Sequence, residues 1–392
     1  MPSDPELRTL AEEAVHHLAS FERPSASDGE RRGAQWIAEH LRAQGWTAQV
    51  EEERAHGTYW WPLGLMTLLA GLLSLVPSRL ARLAGGGVLA AGVADDISGG
   101  RLWFRRAVLP HRPTWNVVAE AGDPNAERTV VVVAHHDAAH WSLLFAPHVP
   151  RFFGERFPGL LERSNTTPPV MFPVFGGPLL VALGGLTGWR WLRRLGGLVS
   201  FGAAATFAEI GSRSTVPGAN DNLTGVATVL GLAQTLREQP VTGVRVLLVS
   251  TGSEESFMEG MQAFARRHFA TLPVERTHVI CVDTVGSPEL MQLEGEGMLV
   301  MRDYPEDFKD LVSAAAADAG VPLRRGLRFR NATDGLIALK AGYPSVMLGS
   351  IDAFKAPANY HWPTDTAENV DYDTVVGCIR VCDGTIRRLA GG

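Results

Sequence analysis

The stretch Thr129–Asp137, T-V-V-V-V-A-H-H-D, decides the fold. Consecutive valines leave no polar face, which suits a strand buried on both sides within a parallel sheet. The strand delivers His135 and Asp137 at its carboxyl end. Downstream, strand and helix alternate. Val244 to Ser250 reads as a buried strand leading to G-S-E-E, and Phe257 to Phe269 as a helix. Thr277 to Val282 is a strand ending at Asp283, Phe308 to Ala319 a helix, Ser345 to Leu348 a short strand, and roughly 371–389 the closing helix. Upstream lie two amphipathic helices, 5–20 and 27–44, a strand over Thr47 to Glu52, and further ordered segments at Leu102 to Val108 and Trp115 to Glu120. This order predicts an α/β fold: a mostly parallel central sheet with helices on both faces.

The chain has 392 residues, 45% hydrophobic and 20% charged, enough for one large α/β domain. A net charge of −6 without a basic stripe argues against nucleic acid as a partner. The three cysteines form neither a disulfide framework nor a C-x-x-C zinc site, and Cys378 and Cys382, four apart on the last helix, read as packing. The acidic, amphipathic N-terminus lacks the pattern of a cleavable signal peptide.

Two interruptions break the soluble pattern. Trp60 to Val76 is uncharged, Arg79 and Arg82 follow Pro77, and Leu83 to Ala94 is apolar again. Val170 to Leu186 is apolar, Arg190, Arg193 and Arg194 mark a basic turn, and Leu195 to Phe207 is apolar once more. Both read as hydrophobic helical hairpins, inserts 59–98 and 165–210 in a single domain of 1–392. Each run falls short of the ~20 residues of a full membrane span. Membrane insertion therefore competes with a hydrophobic lid, a dimer surface or a half-buried hairpin. Trp60, Trp61, Trp189 and Trp191 flank the runs as an interfacial aromatic belt would.

Chemistry collects at the carboxyl ends of the strands, where open α/β sheets bind ligands. There stand His135 and Asp137, then Glu254 and Glu255, then Asp283. Asp221, in P-G-A-N-D-N-L-T-G-V-A (Pro217–Ala227), opens a helix, and His361 sits in a polar loop, so both can reach that edge. Taken alone, Asp221 or Asn222 reads as a helix N-cap. Imidazole and carboxylate donors without a thiolate suit Zn²⁺, with Co²⁺ or Mn²⁺ as other fits. Two ions about 3.5–4 Å apart need a shared carboxylate, for which Asp221 is the natural choice.

H-x-D (His135, Asp137), G-A-N-D-N (Gly218–Asn222), E-E (Glu254, Glu255), V-D-T-V-G (Val282–Gly286) and Y-H-W-P-T-D-T (Tyr360–Thr366) stand in the order seen in the M28 family of di-zinc aminopeptidases, which the chain resembles outside the two inserts. The resemblance implies that His135 and Asp283 hold one zinc and Glu255 and His361 the other. Asp221 would bridge the two, Glu254 would be the general base, and Asp137 would orient His135. It also implies a cis bond between Asp221 and Asn222. His136 reads as a spacer, His140 and His148 as surface or lid residues, and Asp365 as shaping the loop after His361. Asp334 and Tyr360 are weaker candidates for the pocket. The chain departs from the family at Asn220, where many relatives have Asp, at E-E-S-F-M in place of E-E-x-G-L, and at Gly335, where a His is common.

These readings point to a metal-dependent aminopeptidase acting on peptides and held at a membrane by its inserts. The rivals are a glutaminyl-cyclase-like acyltransferase on the same fold, a branch that typically keeps one zinc, and a catalytically inactive membrane-associated receptor or scaffold. Four segments return the chain to its starting side. Free thiols favour a cytoplasmic domain, whereas the hairpin-tip arginines argue the opposite way. Oligomeric state is not legible.

Overall fold

The computed structural model describes residues 2–391. Its strands are β1 (Thr47–Ala55), β2 (Arg112–Gly122), β3 (Thr129–His135), β4 (Arg245–Thr251), β5 (Thr277–Val282), β6 (Glu289–Glu296), β7 (Arg302–Asp303), β8 (Arg324–Phe329) and β9 (Ser345–Ile351). They form one sheet in the order β1-β2-β4-β3-β5-β9-β6-β7, with β8 also paired to β6. The fold is α/β with helices on both faces, as expected, but the parallel run is confined to the four central strands and to the pairing of β8 with β6. β4, β3, β5 and β9 run parallel, while β2 meets β4, and β6 meets β9, antiparallel.

The valine run of β3 explains its own burial. Val130 and Val132 enter the core beneath the helices Asp4–Ala19, Thr224–Glu238 and Tyr372–Gly391, and Val131 and Val133 enter the core on the opposite face. Alternate residues of one strand therefore serve two cores. Three strands had no counterpart in the sequence reading: β6, β7 and β8. In β6 the buried positions include Gln292, Glu294 and Glu296. Gln292 Nε2 donates to Lys309 O at 2.9 Å, Glu294 pairs with Lys309, and Glu296 accepts from Tyr304 Oη at 2.5 Å. Satisfied buried polar groups of this kind erase the apolar pattern by which a strand is read.

Both hydrophobic stretches form helical hairpins. The first comprises Trp60–Leu75 and Arg79–Ile97, the second Phe172–Thr187 and Arg190–Ser212. They pack on each other, Trp60–Leu75 against Arg190–Ser212 and Arg79–Ile97 against Phe172–Thr187, as one four-helix bundle. Glycine permits the close approach. A Cβ on Gly185 would lie 2.6 Å from Leu83 N, and one on Gly196 would lie 2.7 Å from Val181 N. Leu63, Met66, Leu89 and Phe207 are buried, while Leu72, Leu80 and Leu198 face outward and are exposed. At the tips Arg79 donates to the carbonyls of Gly185 (3.1 Å) and Leu186 (2.7 Å), and Arg193 to that of Ser74 (3.1 Å), satisfying helix C-termini. At the base, fully buried Arg105 grips Asp96 with bonds of 3.1 and 2.5 Å and reaches Ser256 O at 2.6 Å. Among the described residues one helix, Arg190–Ser212, is long and apolar enough to cross a membrane by length and composition.

Candidate metal centre

The parallel strands end together. β3 runs into His135–Asp137, β4 into Ser253–Glu255, and β5 into Asp283. Ser253, Thr284 and His361 all take positive φ (50°, 54° and 49°). Non-glycine residues adopt that region at a cost, and such residues cluster at functional sites.

Asp221 lies in an irregular turn, Ala219–Leu223, before the helix Thr224–Glu238, and its bond to Asn222 is cis. The turn is pinned on every side. Asp365 Oδ1 accepts from Asn220 N at 2.7 Å and Oδ2 from Asp221 N at 3.2 Å. Asn220 Oδ1 accepts from Gly286 N at 2.8 Å. Asn222 Oδ1 accepts from Gly225 N and from Thr284 N, both at 3.0 Å. Of the two capping candidates, then, Asn222 serves the helix, and the Asp221 carboxylate is left for other partners. Asp365 shapes the Asp221 turn rather than only its own loop.

The seven residues singled out from the sequence converge. Asp221 Oδ1 lies 3.2 Å from His135 Nε2, and Asp221 Oδ2 lies 3.1 Å from His361 Nε2. His361 Nε2 is 3.3 Å from Glu255 Oε1, and His135 Nε2 is 3.9 Å from Glu254 Oε2 and 4.0 Å from Asp283 Oδ2. Ligand atoms fall into overlapping groups: His135, Asp221 and Asp283; His135, Glu254 and Glu255; Asp221, Glu255 and His361. All are buried.

Electrostatics make the cluster unfavourable without a cation. Burial, with crowding by Glu255, Asp334 and Asp283, pushes the Glu254 carboxyl well above its usual range, and burial with Asp221 nearby does the same to Asp283. Against the cost of burial, Glu255 and Asp221 raise His361 to about 10, and Asp137 and Asp221 raise His135. Among the described residues no lysine or arginine forms an ion pair with Asp221, Glu254, Glu255 or Asp283. Buried His361 Nε2 and Glu255 Oε1 make no hydrogen bond. Buried charge without a partner is costly, and two divalent cations would neutralise these four carboxylates. The donor set fits zinc.

Asp137 does more than face one imidazole. Its Oδ1 lies 3.3 Å from His135 Nδ1 and accepts from Glu254 N at 3.1 Å, while Oδ2 accepts from Glu255 N at 3.1 Å and Ser25 Oγ at 2.6 Å. Glu30, absent from the sequence reading, accepts from Ala26 N (2.7 Å), Thr114 Oγ1 (2.7 Å) and Ser253 N (3.0 Å), so it fixes the loop that carries the glutamate pair. In sequence Glu30 stands three after Ser27 and looks like a capping-box glutamate, which hides its longer reach. Arg23 gives its donors to backbone carbonyls, including His136 O at 3.0 Å and Pro217 O at 2.8 Å.

The walls are aromatic. Tyr59 stacks on Phe257 at 4.6 Å and Trp60 meets His140 with tilted rings at 4.5 Å, so the first hairpin begins at the site. Tyr360 stacks on His361 at 3.9 Å, and Phe145 meets the same ring edge-on at 4.6 Å. His140 is accordingly a half-buried wall residue, while His148 is exposed. His136 turns away to Ser250 Oγ at 2.9 Å. Asp334 is buried, accepts from Thr251 Oγ1, and is raised to about 7 by burial.

Fold and site together define a zinc-exopeptidase-like α/β protein. Residues 206–385 match the model of peptidase family M28, which bears out the resemblance read from the motifs. No curated protein matches the chain. Among solved structures it is similar to an aminopeptidase from Aneurinibacillus sp. strain AM-1 (13% identity, 98% of this chain and 96% of that one, TM-score 0.56). It is similar also to a zinc aminopeptidase from Bacillus subtilis (12%, 97% and 94%, 0.56) and to a Bacteroides thetaiotaomicron glutaminyl cyclase bound to N-acetylhistamine (15%, 97% and 97%, 0.57). At these identities the likeness speaks for the fold. With the family match it supports a metallo-exopeptidase.

Proposed function

We propose that the protein is a di-zinc aminopeptidase whose catalytic domain is held at a membrane by the helical bundle. The observation that carries the first half is Asp221, whose two oxygens face different imidazoles at 3.2 and 3.1 Å. His135, Asp221 and Asp283 would hold one zinc, and Asp221, Glu255 and His361 the other. Zinc, when bound, lowers the pKa of water to about 7 and polarises a carbonyl. Glu254 then takes the attacking water's proton and returns it to the leaving amine. Asp137 holds the His135 ring and, through two backbone N–H groups, the Glu254–Glu255 turn.

The glutaminyl-cyclase reading is kept alive by the fold likeness, but a complete second ligand group, Asp221, Glu255 and His361, favours the peptidase. The membrane half rests on the inverted bundle. Glycines make several of its close helix contacts while Leu65, Leu68, Leu72, Leu80 and Leu198 face out, an arrangement favoured where lipid rather than water surrounds the helices. Only 28% of the apolar window of Arg190–Ser212 is buried, unlike a soluble core helix.

Glu254→Gln tests the mechanism. The variant should retain two zinc ions and the wild-type fold yet cleave aminoacyl peptides about 10²–10⁴ times more slowly. Wild-type turnover by a metal-loaded Glu254→Gln protein would refute the assignment.

A further inference from the structure

Between the metal centre and the second hairpin lies a segment that the peptidase reading leaves unexplained. Residues 143–163 fold as three short helical pieces, Leu143–Phe145, His148–Arg156 and Pro158–Arg163. A surface helix of a soluble protein buries its apolar stripe and exposes its polar one. This segment exposes both. Its one buried residue in the span 148–163 is Gly154, where an added Cβ would lie 2.5 Å from the Phe354 ring. Phe152, Phe153, Phe157 and Leu160 are 61%, 56%, 46% and 71% exposed.

The exposure does not come from loose attachment. Lys355 Nζ donates to the carbonyls of Leu161, Glu162 and Ser164 at 2.7, 3.0 and 2.9 Å, and Arg328 N donates to Asn165 O at 2.8 Å. The backbone is clamped on its inner side and the phenylalanines are presented outward. At one end Phe145 packs against His361, and at the other the chain enters the bundle helix at Phe172. The segment thus bridges the lip of the metal centre and the base of the apolar bundle. Arg151, Arg156 and Arg163 are interleaved with its aromatic residues and are exposed. An exposed apolar face rimmed by three arginines and two glutamates (Glu155 and Glu162), continuous with an apolar bundle, has the composition of an element lying in the headgroup layer.

We infer that residues 143–163 are an interfacial arm that lies in the surface of the membrane holding the bundle. The arm sets the mouth of the metal centre at that surface, so that the enzyme takes peptides whose amino termini lie at the lipid interface. This rests on the membrane-held aminopeptidase reading and names its substrate class. Confinement of enzyme and substrate to one surface raises their effective concentration without any new contact at the site.

The full-length, zinc-loaded protein in phospholipid vesicles tests it. Its native cysteines are buried, so a nitroxide can be placed on Leu160→Cys or, as a control on the bundle, on Leu68→Cys. The arm label should collide with oxygen dissolved in lipid and be shielded from a water-soluble nickel chelate. A chelate-accessible arm label beside a lipid-exposed bundle label overturns the arm and leaves the bundle reading intact. Chelate access at both overturns both. Shielding from both reagents means that protein covers the arm, and overturns it too. In parallel, Phe152→Ser/Phe153→Ser/Leu160→Ser should lower kcat/KM roughly tenfold or more for an aminoacyl peptide with a lipid-anchored carboxyl end, and leave that for the same peptide without the lipid unchanged. Equal loss on both substrates, or loss on neither, overturns the proposal.

Discussion

Asp137→Asn separates what this carboxylate holds from what it fills, because the two side chains share one shape. Oδ1 faces His135 Nδ1 and Glu254 N, and Oδ2 receives Ser25 Oγ and Glu255 N. The best placement of the amide keeps its oxygen at Oδ1 and lets its nitrogen donate to Ser25 Oγ. Glu255 N then faces an N–H and is orphaned. One unsatisfied buried donor costs ~1–3 kcal/mol, so the metal-free variant should lose about that much in urea unfolding. The imidazole also loses the negative charge behind it, and removing such a partner weakens a metal site about 10–100-fold. Competition between the zinc-loaded protein and a chelator of known affinity measures that second effect separately. If Asp137→Asn held zinc as tightly as wild type and unfolded at the same urea concentration, the account of this residue would be wrong.

Further outcomes follow from other parts of the fold. Burial works against it, but Arg325 and Lys309 hold Glu294 down to about 2, from an ordinary 4.5. Its contribution to stability is therefore complete above about pH 4.5 and is lost as the pH falls towards 2; an acid titration of Glu294→Gln should lack that loss. Removing the carboxylate from nearly buried Lys309 should cost about 3 kcal/mol at neutral pH, since Glu306 at 2.8 Å remains. Arg105→Met strands buried Asp96 and Glu259 at the base of the bundle, and calorimetry should record a loss of about 3–5 kcal/mol. Gly185→Leu forces a side chain onto the backbone of Leu83 and Arg79. It should cost about 1–3 kcal/mol or more by overpacking, seen as disruption of a cross-link engineered between the two hairpins.

The parts of this protein that the sequence shows most clearly are those where one physical demand dominates. The valines of β3, buried on both faces, announce a central strand, and the ligands follow because strand ends are where the chain can place them. Both inserts are legible as hairpins, but not that they pack on each other, since glycine contacts such as Gly86 on Ala182 leave no periodic mark. β6 escapes because Glu294 and Glu296 are buried against Lys309 and Tyr304, partners outside the strand. Around the site, Asp137 is visible through its spacing to His135, whereas Glu30 is not, because its distant partners, Thr114 and Trp115 of β2 and Ser253, lie far along the chain. The outward-facing arm is equally hidden, because nothing in the order of its phenylalanines tells which side the fold covers.

The shared carboxylate is the centre of the account. Zinc counted by mass spectrometry in purified wild type and Asp221→Asn, both checked for an intact fold, tests it most directly. The account predicts two ions per chain in the wild type and loss of both in the variant. One ion in the wild type, or one ion retained tightly by Asp221→Asn, would contradict it.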